Sequence, residues 1–147
     1  MKGVESMQAG DFFSIPMEDG RFAIGQIIWL GIDSKEQKFK KIFAFAVLSV
    51  GTDEIVSEGE EYLVFKDHRG DFRVMFTAVD KLKTGEWPII KRGVVSDPSM
   101  KDLEFNMAGT LYRRGVPVRV LAIDEYQNHM LMGVSGFALI ERFLQQY

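Results

Sequence analysis

The sequence predicts an α+β protein: a mainly antiparallel, strongly curled β-sheet or small SH3-like barrel. One short helix near residues 77–84 and a C-terminal helix complete it. Three observations carry this. Gly10 to Gly31 reads as two apolar strands around a tight turn. Ile42 to Val50 is an unbroken apolar run rich in Phe and Val, which suits a buried central strand better than a helix. Helical spacing is confined to a short stretch after Thr77 and to Phe137–Tyr147.

In the first strand Phe13, Ile15 and Met17 alternate on one side, and Pro16 places that strand at an edge or at its own end. Glu18-Asp19-Gly20-Arg21 supplies the turn, with Gly20 accepting a positive φ. Phe22 to Trp29 is apolar on nearly both faces, and Gly25 within it signals a bulge, a bend or close backbone approach. Asp33 to Lys41 is a polar, lysine-rich connection into the Ile42 strand, and Gly51-Thr52-Asp53-Glu54 turns the chain after it.

Tyr62-Leu63-Val64-Phe65 reads as a strand, Lys66 to Asp71 as a turn with Gly70 at positive φ, and Phe72 to Phe76 as the returning strand. Thr77 fits a helix cap, with Asp80 in the first turn and Gly85 beyond the end. Trp87 to Gly93 reads as an extended edge segment with Trp87 in the core, because Pro88 removes a ladder donor. Val94 to Thr110 is expected to be a loop followed by a weak strand through Leu103, Phe105 and Met107. Val116 to Ile123 is a strand with Pro117 near its start. Apolar residues at 137, 139, 140, 143, 144 and 147 space the last helix, with Ser135 as its cap.

At 147 residues the chain is expected to form one domain over 1–147, long enough to bury roughly 70% of its unfolded surface. It is 46% apolar and 27% charged, which is wrong for a disordered protein. The absence of cysteine excludes disulfides and thiolate metal sites. Met1-Lys2-Gly3-Val4-Glu5-Ser6 lacks the apolar core of a signal peptide, and no run approaches the ~20 apolar residues that span a bilayer. A cytoplasmic protein with no membrane partner is therefore expected. The net charge of −3 argues against general nucleic-acid binding.

Motifs for chemistry are sparse. His68 and His129 have no partner at zinc spacing, so no metal site and no cofactor are expected. His68 reads as a surface turn residue. Ser135 sits in half of a nucleophile elbow, but Phe137 stands where the second glycine belongs. Gly20 and Gly25 lie in a hairpin and not at a helix start, so they cradle no phosphate. Asp11 reads as a turn or cap residue. Lys38-Phe39-Lys40-Lys41-Ile42-Phe43 interleaves basic and aromatic residues, but lysines guarding the mouth of an aggregation-prone strand account for it better than nucleic-acid binding does. Between Ile42 and Phe65 there is no Lys or Arg, and Asp53, Glu54, Glu58, Glu60 and Glu61 fall within that stretch. These five carboxylates form either a solvated loop or an acidic patch for a basic partner.

Two blocks resemble a known family. Gly10-Asp11-Phe12-Phe13, Ile15-Pro16-Met17-Glu18-Asp19-Gly20-Arg21-Phe22-Ala23 and Gly25-Gln26-Ile27 are similar to the opening of the Immunity protein 26 family of bacterial polymorphic toxin systems. Leu82-Lys83 and Gly85-Glu86-Trp87-Pro88-Ile89-Ile90 resemble that family's second block. The resemblance covers about the first 90 residues. It implies a non-enzymatic inhibitor that binds and neutralises a cognate toxin domain, with no catalytic residues. The acidic stretch would then meet a basic toxin such as a nuclease. Two other readings are open: a small β-barrel module that binds RNA or a peptide, and an enzyme with a carboxylate-based active site.

Overall fold

The structure, a computed structural model, describes residues 7–56 and 61–147. It is α+β, with antiparallel sheets and few helices. β1 (Phe12–Pro16) and β2 (Phe22–Leu30) form the expected hairpin, in register from Phe12↔Gln26 to Pro16↔Phe22. Gly20 takes φ +90° in the turn, and Asp19 accepts the Arg21 amide at 3.0 Å and its guanidinium at 2.9 Å. Gly25 marks both a register shift against the next strand and a close approach: a Cβ there would lie 2.7 Å from the Phe13 ring.

β3 (Ile42–Gly51) pairs with β2, β6 (Val74–Ala78) with β3, and β7 (Ile89–Lys91) with β1. The resulting order is β6-β3-β2-β1-β7. Side chains alternate across a strand, so β3 feeds two cores. Phe43, Phe45 and Val47 join Phe13, Ile27, Trp87 and Ile140 on one face. There Trp87 stacks on Phe13 with centroids 5.9 Å apart. Ala44 and Ala46 join Trp29, Phe39, Phe76, Phe105 and Tyr112 on the other. Phe105 and Tyr112 come from a second sheet, the meander of β8 (Glu104–Met107), β9 (Thr110–Arg113) and β10 (Val116–Val120).

Several expectations need correcting. The third hairpin starts later than Tyr62: β4 is Phe65–Asp67 and β5 is Gly70–Phe72, with Gly70 at φ +124°. The returning strand breaks at Arg73, and Val74–Ala78 leaves the hairpin for β3. Beside β3, Met75 reaches one core while Val74 and Phe76 reach the other. Thr77 is no helix cap. It is a buried strand residue whose hydroxyl donates to the Ser135 carbonyl at 2.7 Å. The helix α1 is Asp80–Thr84, closed by Gly85 at φ +82°. The loop after Val94 holds a helical turn, α2 (Pro98–Lys101), with the Asp97 side chain capping the Ser99 amide. α3 is Phe137–Leu144, and Gly136, not Ser135, stands at its N-cap.

No closed barrel forms among the described residues, because β6 and β7 are separate edges of the large sheet. A strap instead ties the two sheets. Asn106 donates to the Met130 carbonyl at 2.7 Å, Met132 to Asn106 at 2.9 Å, and Ser135 to Phe76 at 2.8 Å. Residues 130–135 thus run along the edge of β8 and then the edge of β6. Among the described residues, no helix is long and apolar enough to cross a membrane.

Candidate functional site

Two open grooves lie on the described surface, and Arg73 lines both. The first has a volume of about 780 Å³. Its floor comes from the large sheet through Phe12, Gln26 and Leu48, and its walls from Glu61, Tyr62, Arg73, Gly93, Val94, Ser96 and Asp97. Gln26 is the one polar side chain in the β2 run, and it is buried. Its amide donates to the carbonyls of Gly10 at 3.0 Å and Val94 at 3.3 Å, and it accepts the Tyr62 hydroxyl. With every polar atom engaged, Gln26 fixes three chain segments around the groove floor. Burial pushes the Tyr62 phenol above its ordinary pKa, and nearby Asp97 adds to the effect. Asp97 is held below the usual carboxylate range by the Ser99 hydroxyl and amide, at 2.7 and 2.9 Å, with a smaller contribution from Arg73.

Of the five carboxylates singled out in the sequence, Glu61 lines this groove. Asp53 and Glu54 are exposed in the bend after β3 and do not line it. Glu58 and Glu60 lie outside the described residues. Asp53, Glu54 and Glu61 make no hydrogen bond or ion pair among the described residues, so their charge is free to meet a partner.

Beside the floor, Asp11 is fully buried. One carboxylate oxygen accepts the Gln8 amide at 3.1 Å and the Arg92 guanidinium at 2.7 Å. The other has no partner among the described residues. Burial raises its pKa, against the pull of Gln8 and Arg92. Gly10 and Gly93 let two segments of the chain meet here: a Cβ on Gly93 would lie 2.3 Å from the Phe12 ring and 2.8 Å from the Gly10 carbonyl. The reading of Asp11 as a local turn residue captured its contact with Gln8 and missed the bond to Arg92, far along the chain.

The second groove, about 1210 Å³, runs between the β4–β5 hairpin, the strap and α3. Both histidines line it, His68 exposed in its turn as expected. Among the described residues no three His, Cys, Asp or Glu side chains are grouped to hold a metal. Sequence reasoning assigned Arg73, Arg69 and Arg142 no role, since they are dispersed along the chain. Gln26 did carry a signal, as a lone amide in an apolar strand. The sequence matches no protein-family model, no curated protein and no solved structure.

Proposed function

We propose that the protein is a cytoplasmic immunity protein that binds and neutralises a cognate toxin domain, acting by docking and not by turnover. The observation that carries this reading is the set of solvated carboxylates at Asp53, Glu54 and Glu61, in a stretch from Ile42 to Phe65 without a single Lys or Arg. Unpaired charge of one sign steers a partner of the other sign and fixes its register. A nuclease, whose own substrate requires a basic face, is the toxin class that suits this patch. Two register shifts in the β2–β3 ladder, at Ile24/Gly25 and Ile27/Trp29, favour a strongly curled, SH3-like sheet as the frame behind it. The resemblance of residues 10–27 and 82–90 to the Immunity protein 26 family points the same way.

A search of the neighbouring genes should find a toxin domain, and co-expression of this chain with that domain should rescue growth. Reversing Glu58, Glu60 and Glu61 to Lys should slow association with that domain by about tenfold or more, with dissociation changed less. Association at the wild-type rate would remove the acidic stretch from the interface. Failure of the wild-type chain to rescue would remove the toxin reading itself.

A further inference from the structure

The chain has eight arginines, and five of them are committed within the fold. Arg21 pairs with Asp19, Arg92 with Asp11, Arg113 with Glu104 and Arg119 with Glu125. Arg114 donates to the carbonyls of Ile28 and Lys101. The side chains of the other three, Arg69, Arg73 and Arg142, make no hydrogen bond or ion pair among the described residues. All three line the second groove, and the ammonium of Lys66 there is equally unengaged. They are brought together from the β4–β5 turn, the β5–β6 junction and α3.

The same groove exposes apolar side chains. Leu131 is 47% exposed, Val134 56% and Leu139 37%. Four cationic side chains face two carboxylates, Asp67 and Asp71, and the Asp67 carboxylate already accepts the Arg69 amide. An uncommitted guanidinium is a preformed fork for carboxylate, and an exposed aliphatic row favours a partner that brings apolar side chains with its charge. Single-stranded nucleic acid would instead call for a platform of several aromatic faces; of the rings that line this groove Tyr126 is exposed, at 40%, while Phe72 and Phe143 are half-buried.

We infer that this groove docks an acidic peptide segment of a partner protein, its Asp or Glu side chains paired with Arg69, Arg73 and Arg142 and its apolar side chains seated on Leu131, Val134 and Leu139. The surface is distinct from the acidic stretch, and it needs no toxin: any partner bearing such a segment fits it.

The probe is a short labelled peptide of alternating Glu and Leu, titrated against the full chain by fluorescence anisotropy. It should bind, and the double variant R69E/R142E should weaken it about tenfold or more with an unchanged thermal melt. Val134→Ser should weaken it less, and raising the salt should weaken it further. A peptide alternating Glu and Ser should bind more weakly, which separates an apolar groove from a plain charge patch. Equal binding of the Glu-Leu peptide to wild type and R69E/R142E would overturn the proposal. So would tighter binding of a single-stranded oligonucleotide of equal charge. A wild-type dimer abolished by the same two reversals would also overturn it, assigning the groove to a second copy of the chain.

Discussion

β3 and β10 are both apolar strands rich in β-branched or aromatic residues, yet they end in opposite environments. Phe43 to Val47 of β3 are fully buried, whereas all five residues of β10 are exposed, Val120 at 78%. β3 has β2 on one side, β6 on the other and an aromatic cluster on each face. β10 has β9 alone, and a register shift between Pro117 and Arg119 breaks even that ladder. Composition makes each segment a strand, and its place in the sheet decides whether water sees it. An exposed apolar edge of this kind is a template for pairing with another chain unless charge and irregularity blunt it. Here Arg119, Pro117 and the register shift do so.

The sharpest way to break the contrast is at the covered sheet. Phe13 touches Phe43, Phe45 and Trp87, and its ring fills the space over Gly25. Phe13→Ala should cost about 3–5 kcal/mol in urea unfolding. A loss below about 1 kcal/mol would mean that the ring cluster can collapse into the gap.

The next effect tests charge inside that sheet's margin. Arg92→Ala leaves the Asp11 carboxylate buried with only the Gln8 amide, at an expected cost of about 2–3 kcal/mol near neutral pH. Asp11 already has a raised folded pKa, and losing Arg92 raises it further. A raised folded pKa means that the native state holds its proton longer than the unfolded chain. The variant's deficit should therefore be full at neutral pH and shrink as pH falls through that raised value. Unfolding curves at neutral and mildly acidic pH check this, and a deficit that does not change with pH would assign it to lost Arg92 packing alone.

The smallest effect sharpens the other side of the contrast. Val118→Thr and Val120→Lys change exposed edge residues and should move stability by no more than about 0.5 kcal/mol. Val120→Lys should also reduce any concentration-dependent association seen by light scattering. A loss of 2 kcal/mol or more in either variant, against the ~0.5 kcal/mol ceiling usual for open surface, would show that β10 is covered in solution.

The same contrast explains what the sequence makes legible. The β1–β2 hairpin, the central position of β3, the edge strand after Pro88 and the last helix follow from local pattern, because each is fixed by its own alternation, turn glycine or helical spacing. The placement of Val74–Ala78 does not, since Phe72 to Phe76 alternates as one strand until competition for β3 divides it at Arg73. Thr77 misleads for a related reason: a residue with good capping chemistry is claimed by Ser135, which approaches from 58 positions away. At the candidate site, local pattern marks Glu61 only as a charge in a basic-free stretch and Gln26 only as an amide among apolar neighbours, and that the two line one groove is a product of the fold. The convergence of Arg69, Arg73 and Arg142 depends on topology that no local pattern encodes.

The strap at residues 130–135 has a consequence for synthesis. Among the described residues, it alone supplies backbone partners along β6 beyond β3 and along β8 beyond β9. Both margins are translated long before it. A nascent chain therefore carries two bare strand margins until residues 130–135 leave the ribosome, and that interval is when it is most open to pairing with a neighbouring chain. Slowing translation just upstream of Met130 should lengthen that interval and raise the aggregated fraction, with no change in the stability of the finished fold.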